Sequence, residues 1–137
     1  MASPKNLRVL LVDDEEIVHV TIGGYLRDCG HAVDDAAAAD EALARLTRGD
    51  YDLALVDLQM PDMDGFTLLA RMREQGHRLP VILMSGHGSD ELKEQALRQG
   101  AAVFMHKPIK LRELDQAIAQ SCPDHDAPAH SRDNPAG

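Results

Sequence analysis

Five short apolar runs, at residues 8–12, 31–33, 53–56, 80–84 and 102–105, alternate along the chain with five stretches of helical period. No other feature constrains the fold as strongly. The helical faces are Ile17, Val18, Ile22, Tyr25, Leu26 and Cys29, then Ala39, Ala42, Leu43 and Leu46, then Phe66, Leu69, Ala70 and Met72. Leu92, Ala96 and Leu97 make the fourth, and Leu111, Leu114 and Ile118 the fifth. Apolar residues three and four apart fall on one side of a helix, whereas short unbroken apolar runs suit strands covered on both faces. Alternating strand and helix units imply a parallel sheet with helices packed on it, joined by right-handed crossovers. Gly30, Gly49, Gly76 and Gly100 each close a helical stretch, where a left-handed cap is expected. The run Ala36, Ala37, Ala38, Ala39 is read as the small face of a short helix.

The strands end in polar residues that do not belong in a core. Asp13, Asp14, Glu15 and Glu16 follow the first run directly, and Asp57 follows the third. Ser85 follows the fourth and Lys107 stands just past the fifth. In an open parallel sheet with helices on both faces, functional groups gather beyond the carboxyl ends of the strands, near the switch point. Asp13, Asp14, Asp57, Ser85 and Lys107 therefore converge on one site. Two like charges ~4 Å apart repel by roughly 1 to 4 kcal/mol, depending on the dielectric. A hard divalent cation such as Mg²⁺ turns that repulsion into binding, because it takes one or two carboxylates along with waters and phosphate oxygens. Asp is also a favoured helix N-cap, which is the ordinary alternative for Asp13 or Asp14. Ser85 has the alternative of a turn residue, and Phe104 that of plain core.

Composition narrows the function classes. The 137 residues suffice for one domain, placed at residues 5–120. The segment 121–137 carries Pro123, Pro128 and Pro135 with no apolar period, and reads as a disordered tail or linker stub. Fourteen Lys and Arg stand against 23 Asp and Glu, a formal net charge of −9, which argues against a nucleic-acid surface. No apolar run approaches the roughly 20 residues of a membrane span, and the N-terminus lacks the apolar core of a signal peptide. Cys29 and Cys122 have no metal-ligand spacing, so a reduced, cytoplasmic setting is expected.

Four motifs in order carry a resemblance: Leu11-Val12-Asp13-Asp14-Glu15, the stretch from Val56-Asp57 through Asp64-Gly65, Met84-Ser85-Gly86, and Phe104-Met105-His106-Lys107-Pro108. From about Leu7 to Ala119 the chain resembles the receiver domain of bacterial two-component response regulators. The resemblance implies an α/β fold, a flavodoxin-like doubly wound sheet of five parallel strands in the order 2-1-3-4-5. It implies that Asp57 accepts a phosphoryl group from a sensor histidine kinase or phosphotransfer protein. Asp14 would ligate Mg²⁺ directly, Asp13 through water, and Gln59 through its backbone carbonyl, with Asp57 in the same set. Lys107 would neutralise a phosphoryl oxygen and Ser85 would donate its hydroxyl to the phosphoryl group. Phe104 would be the aromatic that turns inward and reports the modified state. Pro108 would follow a cis peptide that aims Lys107 inward.

On this reading the chain is a phosphorelay signalling module that catalyses only its own phosphorylation and dephosphorylation, and is not otherwise an enzyme. Output would pass to a downstream protein or a homodimer through the face of the fourth helix, fifth strand and fifth helix, which carries Glu91, Lys93, Glu94, Arg98, Arg112 and Glu113. Neither nucleic acid nor membrane is expected as a partner. The competing function is an Mg²⁺-dependent phosphohydrolase with Asp57 as nucleophile. Such enzymes place a second Asp two residues on, where this chain has Gln59, which cannot protonate a leaving group.

Overall fold

The computed structural model describes residues 6–122. Five strands form one parallel sheet in the order β2-β1-β3-β4-β5. They are β1 (Arg8–Val12), β2 (Ala32–Ala36), β3 (Leu53–Asp57), β4 (Val81–Ser85) and β5 (Val103–His106). Between and after them run α2 (Ala39–Arg48), α3 (Gly65–Glu74), α4 (Asp90–Arg98) and α5 (Leu111–Ser121). The first helical segment, α1, has three successive parts: Glu16–Val18, a π-helical turn His19–Gly23, and Gly24–Asp28. This is the expected flavodoxin-like topology. Alternating strand residues feed two cores. Leu10, Val12, Ala54, Val56, Val81 and Leu83 face α2, α3 and α4, meeting Leu46, Leu68, Leu69, Met72 and Ala96. Val9, Leu11, Leu53, Leu55, Ile82 and Met84 face α1 and α5, meeting Ile22, Leu26, Leu114 and Ile118. A fully buried Leu or Ile side chain contributes roughly 1.5 to 3 kcal/mol.

Several local expectations are corrected. β2 does not stop at Val33 but continues through Asp34, Asp35 and Ala36. As a sheet edge it tolerates acids that have partners: the Tyr51 hydroxyl donates to Asp34 at 2.5 Å, and Arg27 donates to Asp35 at 3.0 Å. The alanine run is accordingly split between two elements, Ala36 closing β2 and Ala39 opening α2. Gly30, Gly76 and Gly100 have positive φ (97°, 87° and 103°) and are left-handed caps. Gly49 has φ −147° and is extended, so it needs no glycine on that account. On α1, Ile17 is 62% exposed and Cys29 is exposed, so neither belongs to the buried face formed by Ile22 and Leu26. α5 runs to Ser121, just past the expected domain boundary; most of the tail expectation, from Pro123 on, lies outside the described residues. Neither Cys29 nor Cys122 is in a disulfide. Among the described residues no helix is long and apolar enough to cross a membrane.

Candidate functional site

The site follows from strand register. Val12 of β1 pairs with Val56 of β3, so the next residues, Asp13 and Asp57, emerge side by side from neighbouring strands. Adjacent strands lie about 4.8 Å apart. β1 and β3 also flank the point where the strand order reverses, the place where such sheets put their ligands. On the other side, Asp57 pairs with Met84, which places Ser85 one step above it. The Lys107 N–H donates to the Ser85 carbonyl at 2.8 Å, carrying the chain past β5 at the same level. The Lys107–Pro108 peptide is cis, as expected.

α3 is held against the end of β3 by a close approach at Gly65. Its N–H donates to the Leu58 carbonyl at 2.8 Å. A Cβ there would stand 2.9 Å from Leu58 Cα and 3.0 Å from the Asp57 carbonyl oxygen, so only glycine fits without displacement. Asp64 caps the same helix, accepting from the Thr67 N–H at 2.8 Å.

Asp13 and Asp57 are buried, whereas Asp14 is exposed. An oxygen from each of these three carboxylates lies within 4.8 Å of the other two. The Lys107 ammonium is 2.8 Å from Asp13 Oδ2, 3.0 Å from Glu15 Oε1 and 3.4 Å from Asp57 Oδ2. Apart from that ammonium, Asp13 Oδ2 has no hydrogen-bond donor. The Glu15 N–H donates to Asp13 Oδ1 at 2.8 Å, and the Gln59 N–H donates to Asp57 Oδ1 at 3.2 Å.

Burial first, and the Asp13 charge second, push the Asp57 carboxyl up to about 6; Lys107 and the Gln59 N–H pull the other way. Burial opposes the Lys107 charge, but contacts with Asp13 and Glu15 outweigh it and raise the ammonium above the ordinary lysine value. Three carboxylates thus meet one ammonium, two of them buried, and the Asp14 carboxylate stands beside the buried pair. Such a set suits a small hard divalent cation, which would relieve the repulsion between Asp13 and Asp57.

Ser85 is fully buried. Its hydroxyl donates to Gln59 Oε1 at 3.1 Å and accepts from the His87 N–H at 3.0 Å. Phe104 departs from expectation: it is already inside, 7% exposed within the α2–α4 core. Its ring meets His106 edge-on at 5.1 Å. Asp13, Asp14, Asp57 and Lys107 are thus gathered at the carboxyl end of the sheet, with Gln59 linking Asp57 to Ser85 and Asp14 at the exposed rim, whereas Phe104 lies within β5, paired with Leu83.

Sequence reasoning missed two participants. Glu15 was one acid in a run, and its contact with Lys107 spans a long separation that no local pattern reveals. His19 bridges the Asp13 carbonyl oxygen, at 2.6 Å, and Asp35 Oδ1, at 2.7 Å. Its only sequence signal was a histidine one turn into α1.

Comparison with known proteins agrees with this geometry. The response regulator receiver domain family matches residues 9–119. A gliding motility regulatory protein of Myxococcus xanthus is 40% identical over 117 residues, covering 83% of this chain and 15% of that protein. The two-component response regulator PhoP of Pseudomonas aeruginosa is 33% identical over 112 residues, covering 82% of this chain and 50% of PhoP. The chain thus spans half or less of these relatives. A CheY-like response regulator receiver domain protein from Methanospirillum hungatei superposes with a TM-score of 0.81 at 30% identity, over 89% of this chain and 98% of that one. The matched family, the sheet order and the acidic strand ends coincide, and the chain belongs to the response regulator receiver domain family.

Proposed function

We propose that the chain is a phosphoacceptor signalling module in which Asp57 takes a phosphoryl group from a phosphorylated histidine kinase or phosphotransfer protein. The observation that carries this reading is Asp57 itself: a buried carboxylate at the end of β3, with Asp13, Asp14 and Lys107 gathered around it. A carboxylate is a weak nucleophile towards an anionic phosphoryl donor, so positioning and charge neutralisation supply most of the acceleration. An Asp57 oxygen forms a bond to phosphorus while the bond from phosphorus to the donor's imidazole nitrogen breaks. Asp57 is mostly ionised above about pH 6 and therefore competent at neutral pH. Lys107, already 3.4 Å from Asp57, would meet one phosphoryl oxygen.

Asp13, Asp14, Asp57 and the Gln59 carbonyl would hold Mg²⁺. When bound, the metal supplies positive charge opposite the transferring group. Ser85 would release its hydroxyl from Gln59 and donate it to the phosphoryl group. Because Phe104 is already inside, the structural change would start at Ser85 and be felt at the Phe104–His106 contact rather than begin with an inward swing. A phosphoryl group can shift such an equilibrium only by its differential affinity for the two states.

The domain covers residues 5–120, and its output surface is α4, β5 and α5, where Glu91, Lys93, Glu94, Arg98, Arg112 and Glu113 are all exposed. That surface would pair with a second copy or with a downstream protein, in a cytoplasmic setting and without nucleic acid. Turnover of a free phosphoester is not favoured, since the Gln59 side chain accepts from Ser85 and offers no acid to a leaving group.

The test is transfer from a phosphorylated histidine kinase with Mg²⁺ or with excess chelator. Transfer should require the metal, fail in Asp14→Ala and weaken in Asp13→Ala. Unchanged transfer in chelator contradicts the metal assignment.

A further inference from the structure

His19 takes no part in the chemistry described so far, yet it is tightly held beside the site. Its side chain is 15% exposed. Nε2 lies 2.6 Å from the Asp13 carbonyl oxygen and Nδ1 lies 2.7 Å from Asp35 Oδ1. A carbonyl oxygen and an ionised carboxylate can only accept, so both ring nitrogens donate. Asp35 is in turn fixed by Arg27, whose Nη2 donates to it at 3.0 Å and to the Val33 carbonyl at 2.8 Å. His19 opens the π-helical turn His19–Gly23, a kind of turn frequently found at functional sites.

The Asp13 carbonyl belongs to the peptide unit that joins Asp13 to Asp14. Its direction sets how the two carboxylates stand relative to each other. Other bonds fix the rest of Asp13: its N–H donates to the Ala36 carbonyl at 3.0 Å, and its carboxylate is held by the Glu15 N–H and by Lys107. His19 supplies the remaining restraint, and ties it through Asp35 to β2.

We propose that His19 is a positioning residue: by holding the Asp13 carbonyl against β2, it fixes the turn that presents the Asp13 and Asp14 carboxylates towards Asp57. The inference rests on the reading of that cluster as a divalent-cation site.

Two substitutions separate positioning from packing. In His19→Gln the side-chain amide can donate from the place of Nε2, keeping the Asp13 contact. In His19→Asn it can donate from the place of Nδ1, keeping only Asp35. Mg²⁺ alone is titrated into each full chain and followed by amide chemical shifts, alongside urea unfolding. Loss of a group that orients metal ligands typically weakens affinity by about 10- to 100-fold. His19→Asn should show at least the lower figure, His19→Ala should match it, and His19→Gln should stay near wild type, although both amide variants lose similar stability. Wild-type affinity in His19→Asn and His19→Ala, or an equal loss in His19→Gln, overturns the proposal. If the wild-type chain takes up no Mg²⁺, the cation-site reading fails instead, and hydrogen exchange at the Glu15 amide decides the positioning. Faster exchange in His19→Asn than in His19→Gln upholds it, and equal exchange overturns it.

Discussion

Asp57 is 3% exposed and stands beside buried Asp13, so in metal-free protein its charge is held at a cost to stability. Its folded value of about 6 lies above the ordinary carboxylate value of 3.8. Between those two pH values the native state keeps a proton that the unfolded chain has released. Stability from this group is therefore highest at low pH and falls as pH rises through about 6. The shift corresponds to roughly 3 kcal/mol. Urea unfolding without metal should find Asp57→Asn gaining on wild type by an amount of that order between pH 4 and pH 7. A difference between the two proteins that does not change with pH contradicts this electrostatic account. At this scale the sequence was informative where chemistry shows as residue type at a strand end: Asp13, Asp14, Asp57, Ser85 and Lys107 all sit where the motifs imply. It was silent where the role is set by a distant partner, as with Glu15 on Lys107 or His19 on Asp35.

Gly65 shows how a secondary-structure element serves the site. α3 can start against β3 only because nothing larger than hydrogen occupies the space next to Leu58 Cα and the Asp57 carbonyl. Both neighbours are backbone and cannot swing aside. Overpacking of this kind typically costs about 1 to 3 kcal/mol. Gly65→Ala should lower the urea midpoint accordingly and slow phosphorylation, because any relief moves the Asp57–Leu58 backbone. Full stability together with full phosphorylation in that variant argues against the close approach. β1 and β3 were legible as unbroken apolar runs, being buried on both faces. Apolar pattern alone cuts β2 short because Asp34 and Asp35 break it, and their contacts with Tyr51, Arg8, Arg27 and His19 make an acidic edge strand tolerable. The α1 face differs at Ile17, which is exposed, because helical periodicity does not anticipate the π-helical turn that follows it.

For the molecule as a whole, two apolar cores hold a sheet whose carboxyl end concentrates negative charge. A ligand bound only by the folded state stabilises it by about 2.7 kcal/mol at a hundred times its dissociation constant. Mg²⁺ should therefore raise the unfolding midpoint of wild type, and Asp14→Ala should lose most of that response. An identical Mg²⁺ response in the two proteins places the cation elsewhere. With a formal net charge of −9, the chain should also give no shift with duplex DNA at moderate salt in an anisotropy titration, since counterion release needs a basic surface. Saturable DNA binding contradicts the assignment of output to a protein partner. The architecture was readable from the alternation of strand and helix periods, and the strand order came with the family resemblance rather than with the periodicity.

The most direct measurement locates the phosphoryl bond. The protein is incubated with Mg²⁺ and a small phosphodonor such as acetyl phosphate, the acyl phosphate is trapped by borohydride reduction, and the modified residue is mapped by mass spectrometry. A single modified position, Asp57, is expected, with no adduct in Asp57→Ala or in the presence of excess chelator. A phosphoryl group on another residue, or undiminished labelling of Asp57→Ala, contradicts it.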